Sequence, residues 1–145
     1  MPEHLAEPAA DRPRILVVDD DAHVLEGMKR WLRLEFDVTV ATSGKEAIRL
    51  VTSREPFAVV VTDLQMPGMD GNALLFCLRT AAPETVGILL TGNADLEAAI
   101  TAVNQGHAFR ILTKPCPLAT LRDAIEKAVQ RHRQNLAGSA HAPAL

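Results

Sequence analysis

Four short apolar runs in this 145-residue chain end in residues that can do chemistry. Ile15 to Val18 is followed by Asp19, Asp20 and Asp21, and Val59 to Thr62 by Asp63. Ile88 to Leu90 is followed by Thr91, and Ile111-Leu112 by Thr113 and Lys114. If those ends converge, three carboxylates share one pocket, and two unit charges about 4 Å apart repel by about 4 kcal/mol at an effective dielectric of 20. A divalent cation offsets this best. An oxygen donor set without His or Cys suits a hard ion such as Mg²⁺. Lys114 supplies a second positive charge and Thr91 a hydroxyl donor. A carboxylate beside a metal, a lysine and a hydroxyl is equipped for phosphoryl transfer, with a nucleophile, charge neutralisation and a hydrogen-bond donor.

Convergence depends on the elements that carry these residues. The apolar runs Arg14–Val18, Asp37–Ala41, Phe57–Thr62, Val86–Thr91 and Ala108–Leu112 read as strands. Segments of helical period alternate with them: Val24, Met28, Trp31 and Leu32; Ala47, Leu50 and Val51; Leu74, Cys77, Leu78 and Ala81; Leu96, Ala99, Ile100 and Val103; Leu118, Leu121, Ile125 and Val129. Strict alternation predicts an α/β fold, a parallel sheet with helices on both faces. Strands one, three and four are nearly continuous in Ile, Leu and Val, as expected of strands buried on both faces. Strand two alternates Val38, Thr39, Val40, and strand five carries Arg110, which marks both as edges. The order 2-1-3-4-5 of a flavodoxin-like, doubly wound sheet follows, with its site beyond the carboxyl ends of the strands. Strands one and three then lie side by side, and Asp19 and Asp20 face Asp63.

Val-Val-Asp-Asp-Asp at 17–21, Thr-Asp-Leu-Gln-Met-Pro-Gly-Met-Asp-Gly at 62–71, Leu-Thr-Gly at 90–92 and Leu-Thr-Lys-Pro at 112–115 resemble the signatures of two-component response regulator receiver domains. The resemblance covers about Arg14 to Arg133. This family is itself an example of the 2-1-3-4-5 order, so the resemblance implies that order as well. It implies that Asp63 accepts a phosphoryl group from a phosphohistidine on a sensor histidine kinase or phosphotransfer protein. It further implies that Asp20 ligates Mg²⁺ directly, Asp19 through water, and Gln65 through its backbone carbonyl. Thr91 would donate its hydroxyl to the phosphoryl oxygens, Lys114 would pair with them, and Lys114-Pro115 would be cis. The face of helix four, strand five and helix five would carry the output to a downstream protein or domain, or form a homodimer. Thr91 to Asp95 together with Leu112 to Pro115 resembles receivers that precede cyclic dinucleotide phosphodiesterase or hydrogenase-regulator outputs.

Several positions depart from the family pattern. Ile111 stands where an aromatic switch residue is usual, which opens the reading of a receiver with lost switching; Phe109 is either its substitute or core. Cys116 follows the proline where relatives often have an aromatic residue, and Gln65 and Asn93 occupy two variable positions thought to tune acyl phosphate lifetime. Two rival functions also fit parts of the chain. Val18 to Asp21 could be the strand of a haloacid-dehalogenase-type phosphohydrolase, with Asp19 as nucleophile and Asp21 as acid, but that leaves Asp63 unexplained. A flavin-binding module is disfavoured by an acidic crevice and the absence of tyrosine. Taken singly, the motifs have plainer readings: Asp21 caps the first helix, Pro67-Gly68 makes a turn, and Cys77 and Trp31 are core. The dispersed histidines are read as surface, and Arg131 to Arg133 as a solvated helix end.

Length and composition bound the rest. One ordinary domain fits 145 residues. A hydrophobic content of 48% is enough for a packed core, and a net charge of −3 argues against a nucleic-acid backbone binder. The two cysteines, Cys77 and Cys116, have no metal or disulfide spacing and read as free thiols. No apolar run approaches the ~20 residues of a membrane span, and the start lacks a leader pattern, so a cytoplasmic signalling domain without turnover of a metabolite is expected. Residues 1–13 read as a flexible arm, 14–133 as the domain, and 134–145 as a tail or the start of a linker.

Overall fold

The computed structural model describes residues 12–53, 55–92 and 96–140. Strands and helices alternate as β1 (Arg14–Val18), α1 (Ala22–Leu32), β2 (Asp37–Ala41), α2 (Gly44–Val51) and β3 (Val59–Asp63). They continue as α3 (Gly71–Ala81), β4 (Val86–Thr91), α4 (Leu96–Asn104), β5 (Arg110–Thr113) and α5 (Leu118–Ala140). All pairings are parallel, in the order β2-β1-β3-β4-β5. β3 and β4 are buried throughout, β1 nearly so, while β2 and β5 are partly exposed, as their compositions require. Alternate strand residues feed two apolar layers. Ile15, Val17, Val59, Val61 and Ile88 pack against α1 and α5, and Leu16, Val18, Val60 and Leu89 against α2, α3 and α4.

The helices start where short polar side chains cap them. Asp21 accepts hydrogen bonds from the His23 and Val24 amides, Ser43 from the Glu46 amide, and Asp70 from the Ala73 amide. Glu46 reaches back to the Thr42 amide at 2.8 Å, a variant of the reciprocal capping arrangement.

The buried helix faces differ from the expected stripes. In α1 the core side is Leu25, Met28 and Leu32, whereas Trp31 is 62% and Val24 41% exposed. Trp31 is therefore not core: at 100° per residue it lies nearly a third of a turn from the line through Leu25 and Leu32. Along α4 the face against the sheet is Ala99 and Ala102, which turns Leu96 and Ile100 outward. In α3, Gly71, Leu74, Leu75 and Leu78 are buried and Cys77 only half-buried. The last helix passes Arg133, where the sequence reading ends the domain, and continues to Ala140. Arg131 and His132 thus lie inside a helix: Arg131 stacks on Phe109, and His132 Nδ1 lies 2.9 Å from the Glu84 carbonyl oxygen. His107, also read as surface, is half-buried beside Asn72 and Phe76. His4 and His141 fall outside the described residues. β3 begins two residues later than expected and includes Asp63; β5 begins at Arg110 and includes Thr113.

Candidate functional site

Register places the polar strand ends together. Val18 pairs with Thr62, so Asp19 and Asp63 come next to each other at the carboxyl edge. Asp63 pairs with Leu90 and Thr91 with Thr113, which brings Thr91 and Lys114 to the same edge. The Asp19 amide donates to the Ala41 carbonyl at 3.1 Å and the Lys114 amide to the Thr91 carbonyl at 2.8 Å, extending the ladders by one residue on either side. From there the Lys114 side chain crosses the pocket. Its Nζ lies 3.0 Å from Asp63 Oδ1 and 4.0 Å from Asp19 Oδ2. The Lys114-Pro115 peptide is cis, as the family resemblance implies.

Asp19 and Asp63 are buried, at 3% and 6% exposure, and Asp20 is exposed. One carboxylate oxygen from each of the three lies within 4.8 Å of the others. Asp20 and Gln65 line a common cleft beside them. Burial pushes the Asp19 carboxyl above the usual carboxylate range, and the charges of Asp63 and Asp20 push the same way. The Asp21 amide, donating to Asp19 Oδ1 at 2.8 Å, and Lys114 oppose that shift. One lysine against three acids leaves excess negative charge on oxygen donors alone, and that donor set fits a hard divalent ion.

A stability prediction follows from the raised Asp19 pKa. Without divalent cations, the folded state holds a proton on Asp19 in a pH range where the unfolded chain has released it. Metal-free stability should therefore rise as pH falls from neutral through the raised pKa, and the penalty of the charged form is fully present above it. Asp19→Asn keeps the Oδ1 acceptor for the Asp21 amide and removes the buried charge. It should stabilise the metal-free protein at neutral pH by on the order of 1 kcal/mol and flatten this pH dependence. Urea unfolding in EDTA at several pH values measures both; a variant no more stable than the parent at pH 7 would contradict the charge balance described here.

Thr91 is 1% exposed, and its hydroxyl donates to the Gly92 carbonyl at 3.0 Å. Ile111 packs into the layer under α2, α3 and α4, while Phe109 packs on the opposite layer, its ring beneath the Arg131 and Arg110 guanidiniums. Phe109 thus packs, partly buried, against the core on the layer opposite to Ile111. Cys116 is partly buried, which pushes its thiol pKa up and makes it a poor nucleophile. Asn93 and Asp95 lie outside the described residues. Asp21 is engaged as the cap of α1, which counts against its use as the acid of an Asp19 nucleophile.

Two residues of the 62–71 motif were given no role by the sequence. Gly71 opens α3 against the back of Asp63: a β-carbon there would overlap the Asp63 carbonyl oxygen and come within 3.0 Å of the Asp63 carbonyl carbon and Leu64 Cα. Its amide donates to the Leu64 carbonyl at 2.8 Å, closing the loop between Asp63 and the helix. Thr62, fully buried, donates its hydroxyl to the Asp63 carbonyl at 2.9 Å. A glycine directly after a capping aspartate was the available signal for the first; for Thr62 only its place in the 62–71 motif was available, which does not tell what its hydroxyl does.

Residues 15–126 match the family model for the response regulator receiver domain. The chain is 35% identical over 127 residues to the hydrogenase transcriptional regulatory protein HoxA of Cupriavidus necator, covering 88% of this chain and 26% of that protein. It is 37% identical over 128 residues to the transcriptional regulatory protein PrrA of Mycobacterium bovis, covering 88% of this chain and 54% of PrrA. The chain thus spans between a quarter and about half of these curated relatives. Among solved structures, a response regulator receiver domain protein from Clostridium thermocellum superposes with a TM-score of 0.80 at 35% identity, covering 84% of this chain and 98% of that one. A structure described as an adenylate cyclase from Rhodopirellula baltica superposes with a TM-score of 0.87 at 38% identity, covering 89% and 96%.

Proposed function

Because the chain belongs to the response regulator receiver family of two-component signalling, we propose that Asp63 is its phosphoacceptor and that Asp19, Asp20, Thr91, Lys114 and the Gln65 carbonyl serve it. The observation that carries this is the 3.0 Å approach of Lys114 Nζ to a buried Asp63 carboxylate inside a three-acid cluster. In the reaction, an Asp63 oxygen forms a bond to phosphorus as the bond from phosphorus to the donor imidazole nitrogen breaks. The bonding pair returns to the imidazole, and an acyl phosphate remains on Asp63. Lys114 holds positive charge beside the negatively charged phosphoryl oxygens, and the buried position of Asp63 excludes most water from the product. Thr91 reaches the phosphoryl oxygens only after its hydroxyl leaves the Gly92 carbonyl, which ties occupancy of Asp63 to a movement at the end of β4.

Asp19, Asp20, Asp63 and the Gln65 carbonyl would hold Mg²⁺, which when bound neutralises their charge and that of the phosphoryl oxygens. The donor is a sensor histidine kinase or a phosphotransfer protein. The exposed Leu96 and Ile100 of α4 with Arg110 of β5 suit an output face formed by α4, β5 and α5, toward a downstream domain, protein or second copy. No helix of the described residues is long and apolar enough to cross a membrane, and a signalling role in the cytoplasm is in keeping with that. Incubation with acetyl phosphate or a phosphorylated kinase should label the protein when Mg²⁺ is present. EDTA should bring labelling to background and added Mg²⁺ restore it; labelling that survives chelation would overturn the metal assignment.

A further inference from the structure

At the amino ends of the strands, about 16 Å along β4 from Thr91 at ~3.3 Å per residue, a cleft of about 540 Å³ opens between α3, α5 and the turn from α4 to β5. Arg79 of α3, Arg131 and Asn135 of α5 and His107 of the turn line it, and no Asp or Glu does. Neither arginine has a carboxylate partner among the described residues. The nearest acid in sequence, Glu84, contributes its backbone: its carbonyl accepts from Asn135 Nδ2 at 3.2 Å and lies 2.9 Å from His132 Nδ1, joining the loop before β4 to α5. In a chain of net charge −3, the cleft is a local concentration of positive charge.

Arg131 and His107 are held in place. The Arg131 guanidinium carbon lies 5.0 Å from the centroid of Phe109, whose other guanidinium neighbour, Arg110, is at 5.3 Å. Of these two cations only Arg131 lines the cleft, where an anion would offset its charge. Gly106, at φ 80°, ends α4, and the His107 amide returns to the Ala102 carbonyl at 2.8 Å. His107 is fixed at the rim by Asn72 Oδ1 at 3.4 Å and by the edge of Phe76 at 5.1 Å between ring centroids. Leu75, Val86 and Val103 supply an apolar floor.

We propose that this cleft binds a phosphate-bearing small molecule of nucleotide size, at a site separate from the acidic pocket. The guanidiniums of Arg79 and Arg131, both lining the cleft, are each suited in planarity and charge to phosphate oxygens. The volume is that of a small-ligand pocket, and the apolar floor suits the organic part of such a ligand. The test is an amide NMR titration of the full chain, without divalent cations, using ADP, inorganic pyrophosphate and adenosine as probes at constant ionic strength. ADP should give saturable shifts at Gly87, Gly106 and His107, with pyrophosphate weaker and adenosine inert. Arg79→Gln with Arg131→Gln, both exposed positions, should keep the spectrum dispersed and weaken ADP at least about tenfold. The proposal is overturned by ADP shifts that do not saturate, by an equal response in the double variant, or by shifts confined to the acidic pocket. It is overturned equally by an acidic peptide that binds the cleft when ADP does not.

Discussion

Asp63→Asn is expected to fold as the parent does and to lose acyl phosphate formation almost completely, with labelling below about 1% of the parent. The loss is chemical. An amide oxygen lacks the charge to attack phosphorus, and the Asp63 oxygen that faces Lys114 Nζ at 3.0 Å is the nucleophile proposed here. The fold has little to lose by the change. Asparagine is the same size, the Lys114 side chain is 41% exposed so its ion pair contributes modestly, and one of three mutually repelling acids is removed. Near-ultraviolet circular dichroism and the unfolding midpoint should therefore match or exceed those of the parent. A variant that still accumulates label from acetyl phosphate with Mg²⁺ would place the nucleophile elsewhere.

Gly71→Ala is expected to cost about 3 kcal/mol, or roughly 10 °C in Tm, although it adds a single methyl group. Three atoms crowd the added carbon: the Asp63 carbonyl oxygen and carbon, and Leu64 Cα. All are backbone, and Asp63 is tied into β3, so no rotamer change relieves the overlap. The amino end of α3 must retreat, and the retreat breaks the bond from the Gly71 amide to the Leu64 carbonyl, 2.8 Å long. Labelling of Asp63 should fall as well, because the displaced backbone is its own. Gly27→Ala is the matched control: it lies in the exposed middle of α1 with nothing within 4 Å of an added carbon. That change should stabilise by roughly 0.5–1 kcal/mol through helix propensity. Equal thermal shifts in the two variants would contradict the close approach at Gly71.

The sheet was readable because strand burial writes itself into composition: Ile15 to Val18, Val59 to Val61 and Ile88 to Leu90 are continuous, and Val38-Thr39-Val40 and Arg110 break the pattern at the edges. The helix faces were less readable for a physical reason. A helix lying close on a sheet buries small residues, and the inner lines of α2, α3 and α4 include Gly44, Ala47, Gly71, Ala99 and Ala102. Bulk therefore misleads on α4, where Leu96 and Ile100 look like core while facing out; on α1 the inner line of Leu25, Met28 and Leu32 is itself bulky, and Trp31 lies off it. Side-chain members of the candidate site were legible because each lies at or within two residues of the carboxyl end of a strand, and the parallel sheet delivers strand ends to one edge. The Gln65 carbonyl is different. Any residue carries a backbone carbonyl, so only the family motif singled it out. Gly71 and Thr62 act through packing and a bond to backbone, and that context exists only in the fold.

The assignment of the phosphoacceptor is tested most directly by locating the acyl phosphate in the unaltered protein. Borohydride reduces an aspartyl phosphate to homoserine, and peptide mass mapping then reads the position. Protein labelled by acetyl phosphate in Mg²⁺ should carry homoserine at position 63; conversion at position 19 with Asp63 intact would contradict the receiver chemistry and favour a nucleophile on β1.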